Sequence, residues 1–325
     1  MNSNDEIDAQ PLSTAEATIN EPFTAPSQQL NVRPEIDIQS EECTDHPYIR
    51  APVKKNSPCY NMEHKRRGDA IIFHHEKFDS NLELTPREND KDLLNKLINV
   101  LNDLQFNVCV CEDWTYKQIE KKITKLATKE DHRNSDCILF VFMTHGYNGK
   151  LYAKDTHYNP DPLRLLFTSD KCPSLAGKPK IFIIQACRGN SPDLGTSLTP
   201  RPKHSSHRVS SSDETDGHKS EPFKMATHAD FLIANSTVSN FTSYRTWFLE
   251  AFCDVLSSEK YRKDDFLSIM TTVQRKVAIS FANELGDKQI PSLTTMLTRK
   301  LYFTSKKKTP QRHARMSCIS SNVSE

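Results

Sequence analysis

Two short stretches of this chain carry side chains able to do covalent chemistry: Thr144-His145-Gly146 and Gln185-Ala186-Cys187-Arg188-Gly189. A thiol is an effective nucleophile as its thiolate, and a nearby imidazole can raise the thiolate fraction and later protonate a leaving amine. An apolar run precedes each, residues 137–143 and 180–184, and a glycine follows each. A carbonyl under attack develops an oxyanion that needs preorganised backbone N–H donors, which approach closely only where no side chain intrudes. Gly146 and Cys187 are the candidate donors. Glycine is scarce, 8 in 325 residues, so its place beside both reactive groups has a mechanical reading. A cysteine alone reads as a buried apolar residue and a histidine alone as a surface or core residue; the pairing at two strand ends favours acyl transfer.

The elements that must position these groups follow from hydrophobic periodicity. Residues 70–73, 106–111, 137–143, 180–185 and 229–235 read as strands, several apolar on both faces. Residues 88–104, 115–129, 247–256 and 266–285 repeat apolar side chains at helical spacing, and a last apolar region surrounds 296–303. Buried strands separated by amphipathic helices predict an α/β sandwich, a central, mostly parallel sheet flanked by helices. In such sheets the ligand crevice lies beyond the carboxyl ends of the strands. If the strands before His145 and Cys187 are neighbours, imidazole and thiol emerge at one edge.

Composition bounds the rest. Lys plus Arg number 43 against 42 Asp plus Glu, so there is no global field for nucleic acid or an anionic membrane. The longest apolar run is seven residues, far short of the ~20 a membrane helix needs. The polar, acidic N-terminus is unlike a secretory signal. Nine cysteines spread thinly fit reduced thiols, and the cytoplasm is the expected compartment. Residues 1–46 hold ten acidic side chains, one arginine and four prolines, the composition of an unfolded segment. Hydrophobics are sparse from 200 to 222, which marks a long exposed linker. The tail after 304 is basic and reads as solvated. Cys109, Cys111, His74 and His75 have no second ligand pair at zinc spacing, and no phosphate-binding glycine fingerprint is present. No metal and no cofactor is expected.

The pentapeptide at 185–189 resembles the signature of caspases, whose histidine lies about 50 residues upstream; the separation here is 42. Similar stretches are Tyr60-Asn61-Met62, Lys129-Glu130-Asp131-His132, Leu-Ala-Gly-Lys-Pro-Lys-Ile-Phe-Ile-Ile-Gln-Ala-Cys at 175–187, Ala229-Asp230-Phe231-Leu232 and Met296-Leu297-Thr298, together spanning about residues 60–304. The short N-terminal segment resembles that of the executioner branch, of invertebrate kind. The resemblance implies a sheet of about six strands and an aspartate-specific cysteine protease. It also implies five segments: an N-terminal prodomain (1–59), a large catalytic subunit (60–190), a cleavable linker (191–225), a small catalytic subunit (226–304) and a disordered basic tail (305–325).

The resemblance also assigns roles residue by residue. Arg87 and Arg245 match the two arginines that hold a substrate carboxylate at P1, and Gln185 the amide between them. Planar, permanently charged guanidinium groups suit a desolvated carboxylate. The Thr85 carbonyl matches the group that orients His145. Phe241, Tyr244 and Trp247 fall where the family lines neighbouring subsites, with ordinary core packing the competing reading for Phe241 and Tyr244. Executioner caspases carry several residues ending in Asp-Gly-Ser-Trp before this tryptophan; here Thr246 alone separates Arg245 from Trp247. The loop that shapes P3 and P4 selection is therefore expected to be truncated.

Within the linker, Asp213-Glu214-Thr215-Asp216-Gly217 reads as a substrate for this same chemistry, cut after Asp216. Asp8, Asp37 and Asp45 are further sites for removing the N-terminal segment. Family membership implies protein substrates with Asp at P1, a homodimer that becomes two large and two small subunits, an upstream initiator caspase, and inhibitor-of-apoptosis proteins as partners. A caspase-like decoy that binds such partners without turnover is the alternative that the short loop raises.

Overall fold

The computed structural model describes residues 50–87, 90–197, 224–244 and 246–306, together with the backbone of residues 316–317. Arg245, Asp216, Gly217 and the three N-terminal aspartates named above lie outside the described residues. One mixed sheet organises the chain, built from β1 (Asp69–His74), β2 (Asn107–Glu112), β3 (Ile138–Met143), β7 (Lys180–Gln185), β8 (Phe231–Asn235), β9 (Ser292–Thr295) and the two-residue β10 (Met316–Ser317). Their order across the sheet is β10-β2-β1-β3-β7-β8-β9, and every pairing is parallel except β8 with β9. Six of these strands form the expected sheet; β10 adds a short seventh within the segment expected to be a tail.

Strand alternation divides the core into two layers. Ala70, Ile72, Leu139, Val141, Ile181 and Ile183 face one side, packed on α1 (Lys91–Asp103), α4 (Trp247–Ser257) and α5 (Phe266–Ser280). Ile71, Phe73, Ile138, Phe140, Phe182 and Ile184 face the other, packed on α2 (Tyr116–Thr128) and the short α3 (Asp161–Arg164). All six residues of β3 are buried, which is why that stretch reads as apolar on both faces. The helices follow their periodicity: α1 buries Leu93, Leu94, Leu97, Val100 and Leu101, a single helical stripe. A capping box in which Thr115 and Gln118 satisfy each other's backbone donors starts α2.

Several expectations need adjusting. The last helix stops at Ser280 rather than 285, because Asn283 turns its side-chain oxygen onto the backbone N–H of Leu285 and Asp287 and closes a turn. The strand that pairs antiparallel with β8 is Ser292–Thr295, just before the apolar region read from sequence, and its place at the sheet edge explains its weak pattern. A second small sheet, β4 (Gly146–Tyr147), β5 (Lys150–Tyr152) and β6 (His157–Tyr158), went unread because its strands are too short to show periodicity. Cys59, Cys111, Cys137, Cys172, Cys187 and Cys253 are free thiols, and Cys109 is disulfide-bonded.

Two buried polar clusters tie the segments before the linker to those after it. Asp136 is fully buried and binds Arg67 Nη1 at 2.9 Å, Lys306 Nζ at 2.7 Å and the His64 backbone N–H at 2.9 Å. Arg67 also donates to the carbonyls of Leu104 and Thr304. On the other flank, Tyr60 donates to Asp230 Oδ1 at 2.7 Å and accepts from the Thr298 backbone N–H. Removing the acid from the first cluster strands a buried guanidinium. Asp136→Ala is expected to lower stability by about 3–5 kcal/mol, read as the urea midpoint at constant m-value, with Asp136→Asn losing less.

Candidate active site

The pairing of β3 with β7 aligns Met143 with Gln185. Two residues beyond each lie His145 and Cys187, so the imidazole and the thiol leave the same carboxyl edge from equivalent register positions. The ladder continues past the strands, with the Thr144 N–H donating to the Gln185 carbonyl at 3.2 Å. This is the juxtaposition that sequence alone could state only conditionally.

His145 is fully buried, and its Nε2 lies 2.8 Å from the Thr85 carbonyl oxygen. A carbonyl only accepts, so Nε2 carries the hydrogen and acid–base capacity is directed to Nδ1. Phe78 packs on the imidazole with ring centroids 5.0 Å apart. Pairing of Gly146 with Leu151, and the Tyr152 N–H on the His145 carbonyl at 3.0 Å, hold the backbone beside the ring. A Cβ at Gly146 would fall 2.4 Å from the Cys187 carbonyl oxygen, so only glycine lets the two stretches approach this closely.

The thiol is covered. Cys187 is 1% exposed, its Sγ accepts from the Ser243 N–H at 3.0 Å and donates to the Ser243 carbonyl at 3.3 Å. Residues 240–242 run beside 188–191 through Asn240 N–H to Arg188, Arg188 N–H to Phe241 and Thr242 N–H to Ser191. Gly189 makes room for this, since a Cβ there would sit 2.3 Å from the Asn240 carbonyl oxygen. Gln185 spends its amide on Ser243 Oγ at 2.9 Å and the Tyr244 carbonyl at 3.3 Å. Ser236 Oγ, bonded to Ser243 Oγ and to Ala186, completes the cover. A peptide can reach Sγ only if this segment withdraws, giving up several hydrogen bonds of about 0.5–1.5 kcal/mol net each.

The remaining site residues are placed as follows. Arg87 is fully buried, with Nη2 on Asp90 Oδ2 at 2.8 Å and its N–H on the Glu76 carbonyl at 2.9 Å. Asp90 stands at the N-cap of α1 without capping it; its carboxylate is turned to Arg87 instead. Tyr244 and Trp247 are core residues in this arrangement: their rings stack at 4.1 Å, Trp247 meets Phe281 at 5.7 Å, and Tyr244 Oη bonds Asp287 and Asn283. Phe241 is half-buried. Ser243, Ser236 and Gln289, whose Oε1 holds the Tyr244 N–H, were missed from sequence, as were Phe78 and Asp90. Ser243 and Asp90 lie within three residues of Arg245 and Arg87, but nothing in the sequence around Gln289 signals its role.

Residues 67–302 match the Caspase domain family, Peptidase_C14. Caspase-1 of Spodoptera frugiperda is 44% identical over 271 residues, 79% of this chain and 85% of that protein. Caspase drICE of Drosophila melanogaster is 42% identical over 263 residues, 77% of this chain and 74% of that one. The crystal structure of the Spodoptera frugiperda Caspase-1 matches with a TM-score of 0.69 at 41% identity, covering 80% of this chain and 100% of the other.

Behind the site, His75 is fully buried with Nε2 on the Trp114 carbonyl at 3.0 Å, and burial pushes its pKa down from 6.5 to about 4. Between those values the unfolded chain binds a proton that the folded one refuses, so stability falls as the pH drops from 6.5 towards 4. This residue contributes up to about 1.4 kcal/mol per pH unit in that window. Urea unfolding at pH 7 and pH 5 is expected to show a smaller pH dependence in His75→Gln than in the wild type. An unchanged slope would mean that the ring is protonated within the fold.

Proposed function

We propose, since this chain belongs to the caspase family, that it is an executioner-type caspase, a cysteine endopeptidase made as a zymogen that cleaves proteins after Asp during programmed cell death in the cytoplasm. The observation that carries the reading is the pair His145 and Cys187 at matched positions of adjacent parallel strands, with the Thr85 carbonyl holding the imidazole. In the proposed reaction His145 takes the thiol proton, Cys187 Sγ adds to the carbonyl carbon, and the Gly146 and Cys187 N–H groups receive the oxyanion. His145 then protonates the departing amine, and water releases the acyl group from sulfur. Arg87, Gln185 and Arg245 would hold the P1 carboxylate, with Phe241, Tyr244 and Trp247 bordering the neighbouring subsites once the covering segment moves.

The covered thiol supports the zymogen reading, and cleavage after Asp216 is the event that would free residues 240–244. The fragments would stay together, because β7 pairs with β8 and the Asp136 and Tyr60 clusters span the cut. The antiparallel β9 leaves one edge of the small subunit for a second copy, which fits the proposed dimer of two large and two small subunits. An initiator caspase as activator and inhibitor-of-apoptosis proteins as regulators belong to the same reading, which needs no cofactor, membrane or specific nucleic acid.

A catalytically weak decoy is the second reading, favoured by the single residue between Arg245 and Trp247. Processed wild type and Cys187→Ala, offered peptides ending in Asp, Glu, Asn or Arg, separate the two. Turnover of the Asp peptide alone, by wild type alone, is the expected result; no turnover by a folded, processed wild type establishes the decoy. Asp216→Ala is expected to leave the linker uncut, and an unchanged fragment pattern would refute that assignment.

A further inference from the structure

A single hydrogen bond does not fix the plane of an imidazole. The Thr85 carbonyl holds one corner of His145, and the orientation of the buried ring rests on its packing as well. Proton transfer to and from sulfur tolerates only about 0.5 Å and 10–20° of error. Phe78 supplies a wall on one face of the imidazole, 5.0 Å between centroids at an interplanar angle of 42°.

The segment that carries Phe78 is itself anchored. His75 stacks on Phe78 at 6.2 Å with the planes 20° apart, and its backbone N–H binds the Met143 carbonyl at the end of the strand that delivers His145. Asp113 Oδ1 accepts from the backbone N–H groups of Glu76 and Lys77, at 2.7 and 2.9 Å, and the Asp79 N–H binds the Lys154 carbonyl at 2.8 Å. Trp114, whose carbonyl takes His75 Nε2, sets its ring edge-on to Phe73, which stacks at 5.1 Å on Phe142 of β3. The loop at 75–79 is thus referenced to the same strand as the imidazole. Burial also keeps His75 uncharged at neutral pH, so the ring stacked on Phe78 carries no positive charge beside His145.

We propose that Phe78 is a positioning residue for His145, its flat ring, stacked with His75, setting the plane in which the imidazole meets the Cys187 thiol. The role rests on the protease reading above and deepens it. An aliphatic side chain of similar volume fills the space but offers no plane, and an aromatic one restores it.

Phe78→Leu, Phe78→Ala and Phe78→Tyr are compared in the processed enzyme on an Asp-terminated peptide, with melting temperature recorded alongside. In Phe78→Leu and Phe78→Ala kcat is expected to fall about 10- to 100-fold, the scale of a small misplacement of a reacting group, with KM within about twofold. Phe78→Tyr is expected to keep kcat within about threefold of wild type. If Phe78→Ala does not fold, Phe78→Leu carries the comparison. Equal kcat in Phe78→Leu and wild type, a loss shared by Phe78→Tyr, or a change confined to KM would overturn the proposal. Peptide-resolved alkylation of Cys187 by iodoacetamide, which requires the imidazole at the thiol but no substrate, is expected to slow in parallel. Absence of peptide turnover in the wild type would defeat the protease reading, whereas wild-type alkylation rates in Phe78→Leu would defeat this one.

Discussion

The parallel pairing of β3 with β7 is the contact on which the rest of this molecule depends. Its register, Met143 beside Gln185, is set by side chains that must fall on the correct side of the sheet: a slip of one residue would carry Phe140 and Phe182, stacked at 4.9 Å, into opposite layers. The same register brings His145 level with Cys187. The placement of His145 beside Cys187 and core packing are therefore one constraint, and the dense burial of β3 works as the ruler for the site at its end.

Around that axis the polar groups divide between holding and covering. Thr85 and the small β4–β6 sheet hold the histidine stretch, and Asp90 fixes Arg87. Residues 240–244 cover the sulfur through hydrogen bonds that a bound peptide would have to replace. Residues 240–242 are held backbone to backbone, whereas Ser243 and Tyr244 are held through the side chains of Cys187, Gln185, Ser236 and Gln289, so uncovering the sulfur also means moving Tyr244 relative to Trp247 in one layer of the core.

The buried framework was legible because burial on both faces leaves an unbroken apolar word, as in Ile-Leu-Phe-Val-Phe-Met of β3, and because α1 keeps a strict stripe. His145, Cys187, Gly146 and Gly189 were legible because reactive types at strand ends seldom coincide with glycine by chance in a chain so poor in it. What stayed hidden depends on tertiary proximity. Ser243 looks like any loop serine until its backbone is seen against sulfur, and Asp90 reads as an ordinary helix cap until its carboxylate is seen on Arg87. Tyr244 and Trp247 could be assigned by analogy to a subsite, yet their stacking and the Asp287 hydrogen bond place them within the packed interior here. Short β4 to β6 strands carry too few residues for any period to register.

The ties between Asp136 and Lys306, and between Tyr60 and Asp230, join parts of the polypeptide that lie more than 160 positions apart. While the chain is intact, opening these contacts is a unimolecular event, independent of how much protein is present. Once the connection between β7 and β8 is broken, the identical contacts define a dissociation equilibrium, and the integrity of the fold acquires a dependence on dilution that it did not have before.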